Sequence, residues 1–472
     1  MRKNNLITNF SALTVMQMVQ YAAPLIVLPY LVRIIGPANF GVISFAQAIA
    51  YYFALIPDLG ASLYATREIS LIKDDRVKLS AFVSGILILK GIILLVSLLV
   101  YAAIVFFVPR FHSEIWVFIF GMGYIIGETY IPGWFFMGIE KMINITIGIS
   151  IIRILGLILI FIFIHQPDHY IYVPLLNSVA LLVGVVFMYC QVFFRNGVEF
   201  VLPDRVFMVK ILRESMPLFV SNVMKNLNAG INIIVLGFFC SNTIVGYYSA
   251  AEKLIKTGMG LLTQLSNVFY PYISRMLKES MESGLTSIKT GFIAGMLLSI
   301  PAAILVITYP DLIVDILLGN SFSGSVSPMR IMGILFFVIG MSNILGNQVL
   351  LPFDKGFIYM RALIIGFVSQ IVLVLMLAPQ FQERGAALAF VLSQIIVSVL
   401  MGFEVKKLSF SIIQKSSTVK LVALALGLVA SVLFSLFIKL GMMWSLGVFL
   451  VTYVILIVSL RLVDLKGQSI IL

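Results

Sequence analysis

The chain has 472 residues, of which 61% are hydrophobic and 11% are charged, and its formal net charge is +12. A soluble globular protein carries about 25% charged residues, so this composition excludes one. The apolar runs last about 20 residues without alternating, which is typical of membrane-spanning helices and not of membrane strands.

Hydropathy predicts about fourteen membrane-spanning helices. The first run follows Arg2 and Lys3, but it is too long for the apolar region of a signal peptide and contains Gln17 and Gln20, so we interpret it as a retained helix. The predicted spans are 9–31, 40–65, 79–107, 115–137, 143–164, 172–194, 216–239, 243–273, 291–309, 329–351, 362–377, 386–403, 419–439 and 444–462.

Basic residues divide unequally between the two sides of this arrangement. The termini and the loops after even-numbered spans hold 22 of the 32 lysines and arginines. The loops after odd-numbered spans hold only Arg33, Arg110, Arg330, Arg384 and Lys439. By the positive-inside rule, both termini are predicted to be cytoplasmic. The same distribution accounts for most of the net charge, so no nucleic-acid partner is expected.

The loops are too short to contain a soluble domain, and the longest cytoplasmic stretch follows the sixth span. We therefore predict an all-α polytopic membrane protein with two six-helix lobes around a central cavity. A weak internal repeat at an offset of 205 residues supports parallel lobes, since Gly41, Ser44 and Ala46 match Gly246, Ser249 and Ala251. The predicted segments are an N-terminal lobe at 1–195, a linker at 196–215, a C-terminal lobe at 216–405 and two additional helices at 419–462.

Polar residues recur every three or four positions in the spans that open each predicted lobe, which places them on one helix face. Such stripes predict a hydrated cavity. Their members are Thr14, Gln17 and Gln20 in span one; Ser44, Gln47, Tyr51 and Asp58 in span two; Ser221, Lys225, Asn228 and Asn232 in span seven; and Ser249, Glu252, Lys253, Lys256, Gly260, Thr263 and Asn267 in span eight.

Charged residues inside spans are expensive and therefore face protein or water. Five are basic (Lys90, Arg153, Lys225, Lys253 and Lys256) and three are acidic (Asp58, Glu128 and Glu252). The basic excess predicts an anionic substrate, bound by these five residues together with Gln20, Asn228 and Asn232. The three carboxylates are candidates for coupling transport to protons or sodium. The alternative is that the polar residues join helices, with Glu252 and Lys256 forming an i,i+4 pair.

No P-loop, GxSxG or HExxH motif occurs, and three histidines are too few for a His-rich metal cluster. We therefore expect no enzyme activity, no metal and no cofactor. Trp134 and Trp444 fit the aromatic belts of membrane interfaces.

Several motifs resemble those of polysaccharide flippases. Residues 35–44 resemble a GxxxFGxxS signature, and residues 132–142 resemble the PxWxxxGxEKM segment. Asp58-Leu59-Gly60 with Thr66-Arg67, and the proline-containing stretch 269–274, resemble the ends of helices two and eight. The sequence departs from the pattern in having Met137 where glutamine is common, and in having two spans beyond twelve. The resemblance is to the O-antigen (Wzx-type) branch of the multidrug/oligosaccharidyl-lipid/polysaccharide exporter superfamily.

This resemblance implies a flippase of the bacterial inner membrane. Its implied substrate is an undecaprenyl-pyrophosphate-linked oligosaccharide, moved by alternating access for O-antigen, capsule or exopolysaccharide synthesis. Membrane lipids and a polysaccharide polymerase complex are the implied partners. Two alternatives remain open: a drug/cation antiporter of the same superfamily, for which acidic cavity residues are expected, and a membrane-embedded glycan polymerase, which needs larger outer loops.

Overall fold

The computed structural model describes residues 2–58, 60–226, 230–408, 415–438 and 441–460. These residues form helices and no strand, which confirms the all-α prediction. The helices are α1 Arg2–Leu55, α2 Ala61–Ile72, α3 Arg76–Phe107, α4 Ile115–Thr129, α5 Gly133–Gly138, α6 Met142–Phe163, α7 Tyr172–Cys190, α8 Arg205–Asn226, α9 Ile231–Phe239, α10 Asn242–Glu279, α11 Met281–Thr308, α12 Pro310–Leu317, α13 Val326–Met332, α14 Leu335–Asn343, α15 Gly356–Lys406, α16 Lys415–Phe437 and α17 Met442–Ser459.

Two of these helices are too long for one membrane crossing. A span needs about 20 residues, whereas α1 has 54 and α15 has 51. Each contains a break at a residue with positive φ: Gly36 in α1, at φ 73°, and Gln382 in α15, at φ 52°. The breaks fall between predicted spans one and two and between predicted spans eleven and twelve, so each long helix supplies two crossings.

Predicted span two does not continue as a helix to residue 65. Helix α1 ends at Leu55, and α2 begins at Ala61 after Gly60, which adopts the left-handed conformation at φ 67°. Pro57 contributes to this break because proline has no backbone N–H to donate to a helix. The correction matters for function, since Asp58 lies in the break and not on a helix face.

Three other predicted spans are also interrupted. Span four ends its helix at Thr129, before Pro132, and α5 follows as a separate short helix. Span seven has Gly230 at φ 91° immediately before α9. Span ten is bent by 43° between residues 332 and 335 and ends in a π-helix, Ile344–Leu350.

The chain forms two compact units, Met1–Gly246 and Tyr247–Leu472. The core of the first unit contains Phe82, Trp134 and Phe135, so Trp134 is buried and the expectation of an interfacial position was wrong. The core of the second unit includes Leu424 from α16 and Phe449 from α17. The two additional C-terminal helices therefore pack onto the second unit. The lobe boundaries within 1–405, with a linker at 196–215, stay a prediction.

Loops after odd-numbered spans meet one another within the first unit. Asn39 Nδ2 donates to the Pro167 carbonyl oxygen at 3.2 Å, which joins the loop after span one to the loop after span five. Arg110, after span three, donates to Asn242 Oδ1, after span seven, at 2.6 Å. The backbone of residues 37–41 also lies against that of residues 242–246, so the four loops meet at one end of the helices, as the predicted alternation of spans requires.

Loops after even-numbered spans meet in the same way. Lys73 Nζ lies 2.9 Å from Glu140 Oε1, which joins the loops after spans two and four. Lys141 Nζ donates to Asn196 Oδ1 at 2.7 Å, which joins the loops after spans four and six. The basic loops of the first unit therefore lie together, as the topology prediction expects.

Candidate substrate-binding site

A buried ion pair lies in the first unit, between α3 and the break that follows α1. Lys90 is only 2% exposed, and its Nζ lies 2.9 Å from Asp58 Oδ1. The break after α1 brings the Asp58 carboxylate to a lysine 32 positions later in the sequence. Both residues were predicted site residues, but for different roles, and their pairing was not foreseen.

Neighbouring groups complete the environment of the Lys90 ammonium. It donates to Ser62 Oγ at 3.2 Å and to the Thr129 carbonyl oxygen at 3.3 Å, and it lies 6.0 Å from the centre of the Trp134 ring. Ser62 also donates to Asp58. A lysine with this set of partners is stabilised inside the protein and has little donor capacity left for a substrate.

Sequence reasoning missed Ser62, Thr129 and Trp134 as partners of this pair. Thr129 contributes a backbone oxygen, which leaves no trace in the sequence. Trp134 lies in the PxWxxxGxEKM-like segment, so its burial beside Lys90 gives a physical reason for a tryptophan at that position.

Glu128 and Arg153 form a second charged group beside the first. Glu128 is in the last turn of α4 and Arg153 is in the middle of α6, and both side chains are exposed. Glu128 interacts electrostatically with Arg153, Lys90 and Asp58. The first unit therefore brings together four predicted residues, two basic and two acidic.

Arg153 differs from Lys90 in having N–H donors available for an added ligand. Within the described part of the chain, it makes no hydrogen bond and no ion pair, and its interaction with Glu128 is electrostatic only. A guanidinium group presents five N–H donors in a planar fork that fits phosphate or carboxylate oxygens. Arg153 is therefore the cation of this group best able to bind an added anion.

The second unit confirms the predicted Glu252–Lys256 pair. Lys256 Nζ lies 3.0 Å from Glu252 Oε1, and the Tyr248 hydroxyl donates to the same oxygen at 3.2 Å. The Glu252 side chain is 5% exposed and the Lys256 side chain is 37% exposed. Lys256 also lies 5.7 Å from the Phe390 ring centre. Its accessible face can meet a further anion, whereas Glu252 is enclosed.

The remaining predicted residues are less informative. Asn232 on α9 is fully buried, and Lys253 and Gln20 are half-buried. The Gln17 side-chain oxygen, one turn from Gln20, is buried without a hydrogen-bond partner among the described residues. Asn228 lies outside the described residues, and so do the side chains of Lys225 and of three stripe positions (Thr14, Ser221 and Asn267). The substrate and coupling roles of all eleven site residues stay predictions.

Comparison with known proteins identifies a matching family and similar relatives. The model of a family described as "Polysaccharide biosynthesis protein" matches residues 6–277, which is more than half of the chain. A relative from Escherichia coli (strain K12), named "Putative O-antigen transporter", is 27% identical over 402 residues, which cover 84% of this chain and 96% of the relative. A relative of the same name from Shigella dysenteriae is 26% identical over 82% of this chain and 96% of its own length.

Solved structures share the fold at low sequence identity. The lipid II flippase MurJ, in an inward closed conformation, matches with a TM-score of 0.68 at 15% identity, over 95% of this chain and 98% of that protein. An inward-facing multidrug resistance MATE family transporter of the MOP superfamily matches with a TM-score of 0.57 at 12% identity, over 84% of this chain and 100% of that protein. The chain therefore shares its fold with these two transporters.

Proposed function

Because this chain belongs to the polysaccharide biosynthesis protein family, we propose that it is a flippase, which moves a lipid-linked oligosaccharide unit across a membrane. Relatives named for O-antigen transport support this function, and the fold shared with a lipid II flippase is consistent with it. The protein is a multi-pass membrane transporter and not an enzyme.

The finer proposal concerns the substrate and its direction. We infer that the substrate is an undecaprenyl-pyrophosphate-linked oligosaccharide, taken from the cytoplasmic leaflet to the outer leaflet of the bacterial inner membrane by alternating access. In this proposal both termini are cytoplasmic, because they lie on the same side of the membrane as the basic loops. Membrane lipids surround the protein, and a polysaccharide polymerase complex is the partner that receives the translocated unit.

One observation carries the substrate proposal. Arg153 is an arginine within a membrane-spanning helix that is exposed and has no hydrogen-bonded partner in the described structure. A cation in hydrocarbon is expensive unless it meets water or an anion, and a sugar–pyrophosphate head group needs cations to cross. Lys90 and Lys256 already have carboxylate partners, so of these three cations Arg153 is the one that this substrate would engage first.

The test is complementation of a strain that lacks its own flippase. Arg153→Gln removes the charge but keeps hydrogen-bonding capacity, and we expect it to lower surface glycan display about tenfold or more, since a charge-assisted hydrogen bond contributes ~1.5–3 kcal/mol. Arg275→Gln is the matched control, because Arg275 is exposed and, among the described residues, bonds only to Glu279 one turn away. Membrane abundance is measured for both variants.

The outcomes separate the proposal from its alternatives. Normal abundance with lost display supports binding of the substrate by Arg153. Lost abundance would assign Arg153 a structural role. Failure of the unmodified chain to restore display, combined with drug export from the same cells, would replace the flippase proposal with the antiporter alternative.

A further inference from the structure

Two glycines hold backbones in direct contact at the end of the first unit where the odd-numbered loops meet. A β-carbon added to Gly41 on α1 would lie 1.8 Å from the Asn242 carbonyl oxygen, and one added to Gly246 on α10 would lie 1.9 Å from the Pro37 carbonyl oxygen. Neither distance can accommodate a side chain, so only glycine allows this approach.

The contact is reciprocal under the internal repeat. An offset of 205 residues relates Gly41 to Gly246, and the same offset relates Pro37 to Asn242. Gly41 therefore contacts Asn242, and Gly246 contacts Pro37, which is the repeat equivalent of Asn242. Such a self-complementary contact is what a two-fold axis between two repeated elements produces. Repeat halves that rock about such an axis in alternating access would bring these helix ends together and then apart.

Arg110, in the loop after span three, stabilises the same contact with two hydrogen bonds. Its Nε donates to the Gly237 carbonyl oxygen at 2.8 Å, and its Nη2 donates to Asn242 Oδ1 at 2.6 Å. The guanidinium also lies 5.9 Å from the Phe45 ring centre. Arg110 follows span three, so one side chain connects the loop after that span to the last turn of α9 and to the first residue of α10.

The bonds that cross this contact suit a joint that opens. Both acceptors of Arg110 are neutral, so separation leaves no unpaired carboxylate. The glycines contribute no interlocking side chains. Of the clustered rings of Phe45, Phe111, Phe118 and Phe238, only Phe238 comes from α9, and it is 48% exposed. Phe238 is therefore the ring of this cluster that would separate from the other three when α9 moves away from α1.

From this geometry we propose that the Gly41–Gly246 contact, with Arg110 as its latch, is the outer gate of the transport path, closed in this structure. The proposal rests on the proposed function and on the predicted topology, which puts the odd-numbered loops outside. Opening of the gate separates α1 from the start of α10 and breaks both Arg110 hydrogen bonds. The gate then exposes the polar stripe of span two, including Gln47, to the outer side.

A labelling experiment tests the gate without requiring substrate. Gln47→Cys is exposed on α1 and serves as the reporter, in a chain whose native Cys190 and Cys240 are replaced by serine. Arg110→Gln should raise the rate at which an impermeant thiol reagent labels this cysteine from outside about tenfold, which corresponds to ~1.4 kcal/mol. Arg330→Gln is the control, since it removes an exposed arginine predicted on the same face and bonded to Asp311. Its labelling rate should not change.

A second variant keeps the test decisive if Arg110→Gln does not accumulate. Asn242→Ala removes one acceptor of the latch and should shift the labelling rate in the same direction. Unchanged labelling in the latch variants that accumulate would overturn the proposal. The labelling readout does not involve glycan. If labelling shows that the gate opens but the protein fails to complement, only the proposed substrate is refuted.

Cross-linking provides the complementary test. Ala38 and Thr243 flank the contact and are related by the same offset of 205 residues. In the chain without native cysteines, Ala38→Cys and Thr243→Cys joined by a short bifunctional thiol reagent should abolish glycan display, whereas each single variant treated in the same way should retain it. Full display with the two positions quantitatively joined would identify a permanent joint and not a gate.

Discussion

Lys90 and Asp58 form an enclosed ion pair across a helix break, with 2.9 Å between Nζ and Oδ1 and with side chains that are 3% and 18% exposed. The two charges of a buried ion pair stabilise each other, because a buried charge that loses its partner is costly. This geometry makes the pair a support for the break after α1 and predicts a specific pattern of mutational effects.

We expect Lys90→Met and Asp58→Asn each to lower membrane abundance and thermal stability, because each leaves one buried charge without its partner at a cost of ~3–5 kcal/mol. The double variant removes both charges and should recover most of the loss. Abundance and melting of the detergent-solubilised protein measure the cycle. Normal stability of both single variants, with lost glycan display, would instead return Lys90 and Asp58 to the transport path.

The sequence predicts local and periodic features of this protein well. Long apolar runs identify most of the helices, and the i,i+4 spacing of Glu252 and Lys256 predicts an ion pair that the structure confirms. The repeat offset also identifies Gly41 and Gly246 as equivalent positions, although it does not predict that they touch.

Tertiary features could not be derived in the same way. Hydropathy averages over about 20 residues and so hides the short break between Leu55 and Ala61, without which Asp58 cannot reach Lys90. Trp134 was expected at the membrane interface because tryptophan is common there, whereas packing against Lys90 and the first-unit core buries it. Both errors concern partners that lie far apart in the sequence.

Of the three carboxylates predicted to couple transport to an ion, we expect Glu128 to be the one that acts. Asp58 and Glu252 are each paired with a lysine, whereas Glu128 is exposed and, among the described residues, interacts with Arg153, Lys90 and Asp58 through electrostatics alone. A carboxylate without a close cation can release and bind a proton or sodium during a transport cycle. Glu128→Gln should therefore abolish the dependence of transport on an imposed ion gradient.

Transport in vesicles with defined proton and sodium gradients measures this effect. Glu252→Gln provides the comparison, because it removes a carboxylate that is enclosed and paired; it is expected to lower stability but to keep gradient dependence. If the Glu128→Gln protein still responds fully to both gradients, coupling resides elsewhere or is absent.

The topology can be checked with three exposed serines. Ser70 lies on α2, in the basic stretch after predicted span two, whereas Ser113 and Ser321 lie in the stretches after spans three and nine. In a chain without native cysteines, Ser70→Cys should resist impermeant thiol reagents in intact cells, and Ser113→Cys and Ser321→Cys should react. The reverse pattern would contradict the cytoplasmic placement of the basic loops and would move the proposed gate to the inner face.

The cationic mechanism predicts a graded loss of function among the basic site residues. Arg153→Gln should have the largest effect of the residues whose side chains are described, since Lys256→Gln removes a cation that already has a carboxylate partner and Lys90 is enclosed. Arg153→Lys should retain partial display, because an ammonium group still attracts a phosphate but lacks the planar fork of arginine. Surface glycan and membrane abundance are measured in parallel for each variant.

Neutralising Arg153, Lys225, Lys253 and Lys256 together gives the most severe test. If these residues bind the charge of the substrate, the fourfold glutamine variant should display no glycan, although the loss of the Arg153 charge by itself lowers the cost of membrane insertion by ~2.5–3.5 kcal/mol. Lys256→Gln also strands the enclosed Glu252, so the variant is prepared with and without Glu252→Gln to separate a loss of stability from a loss of binding. Full glycan display by the fourfold variant would show that the substrate crosses without these cations, and the anion-binding mechanism would then be wrong.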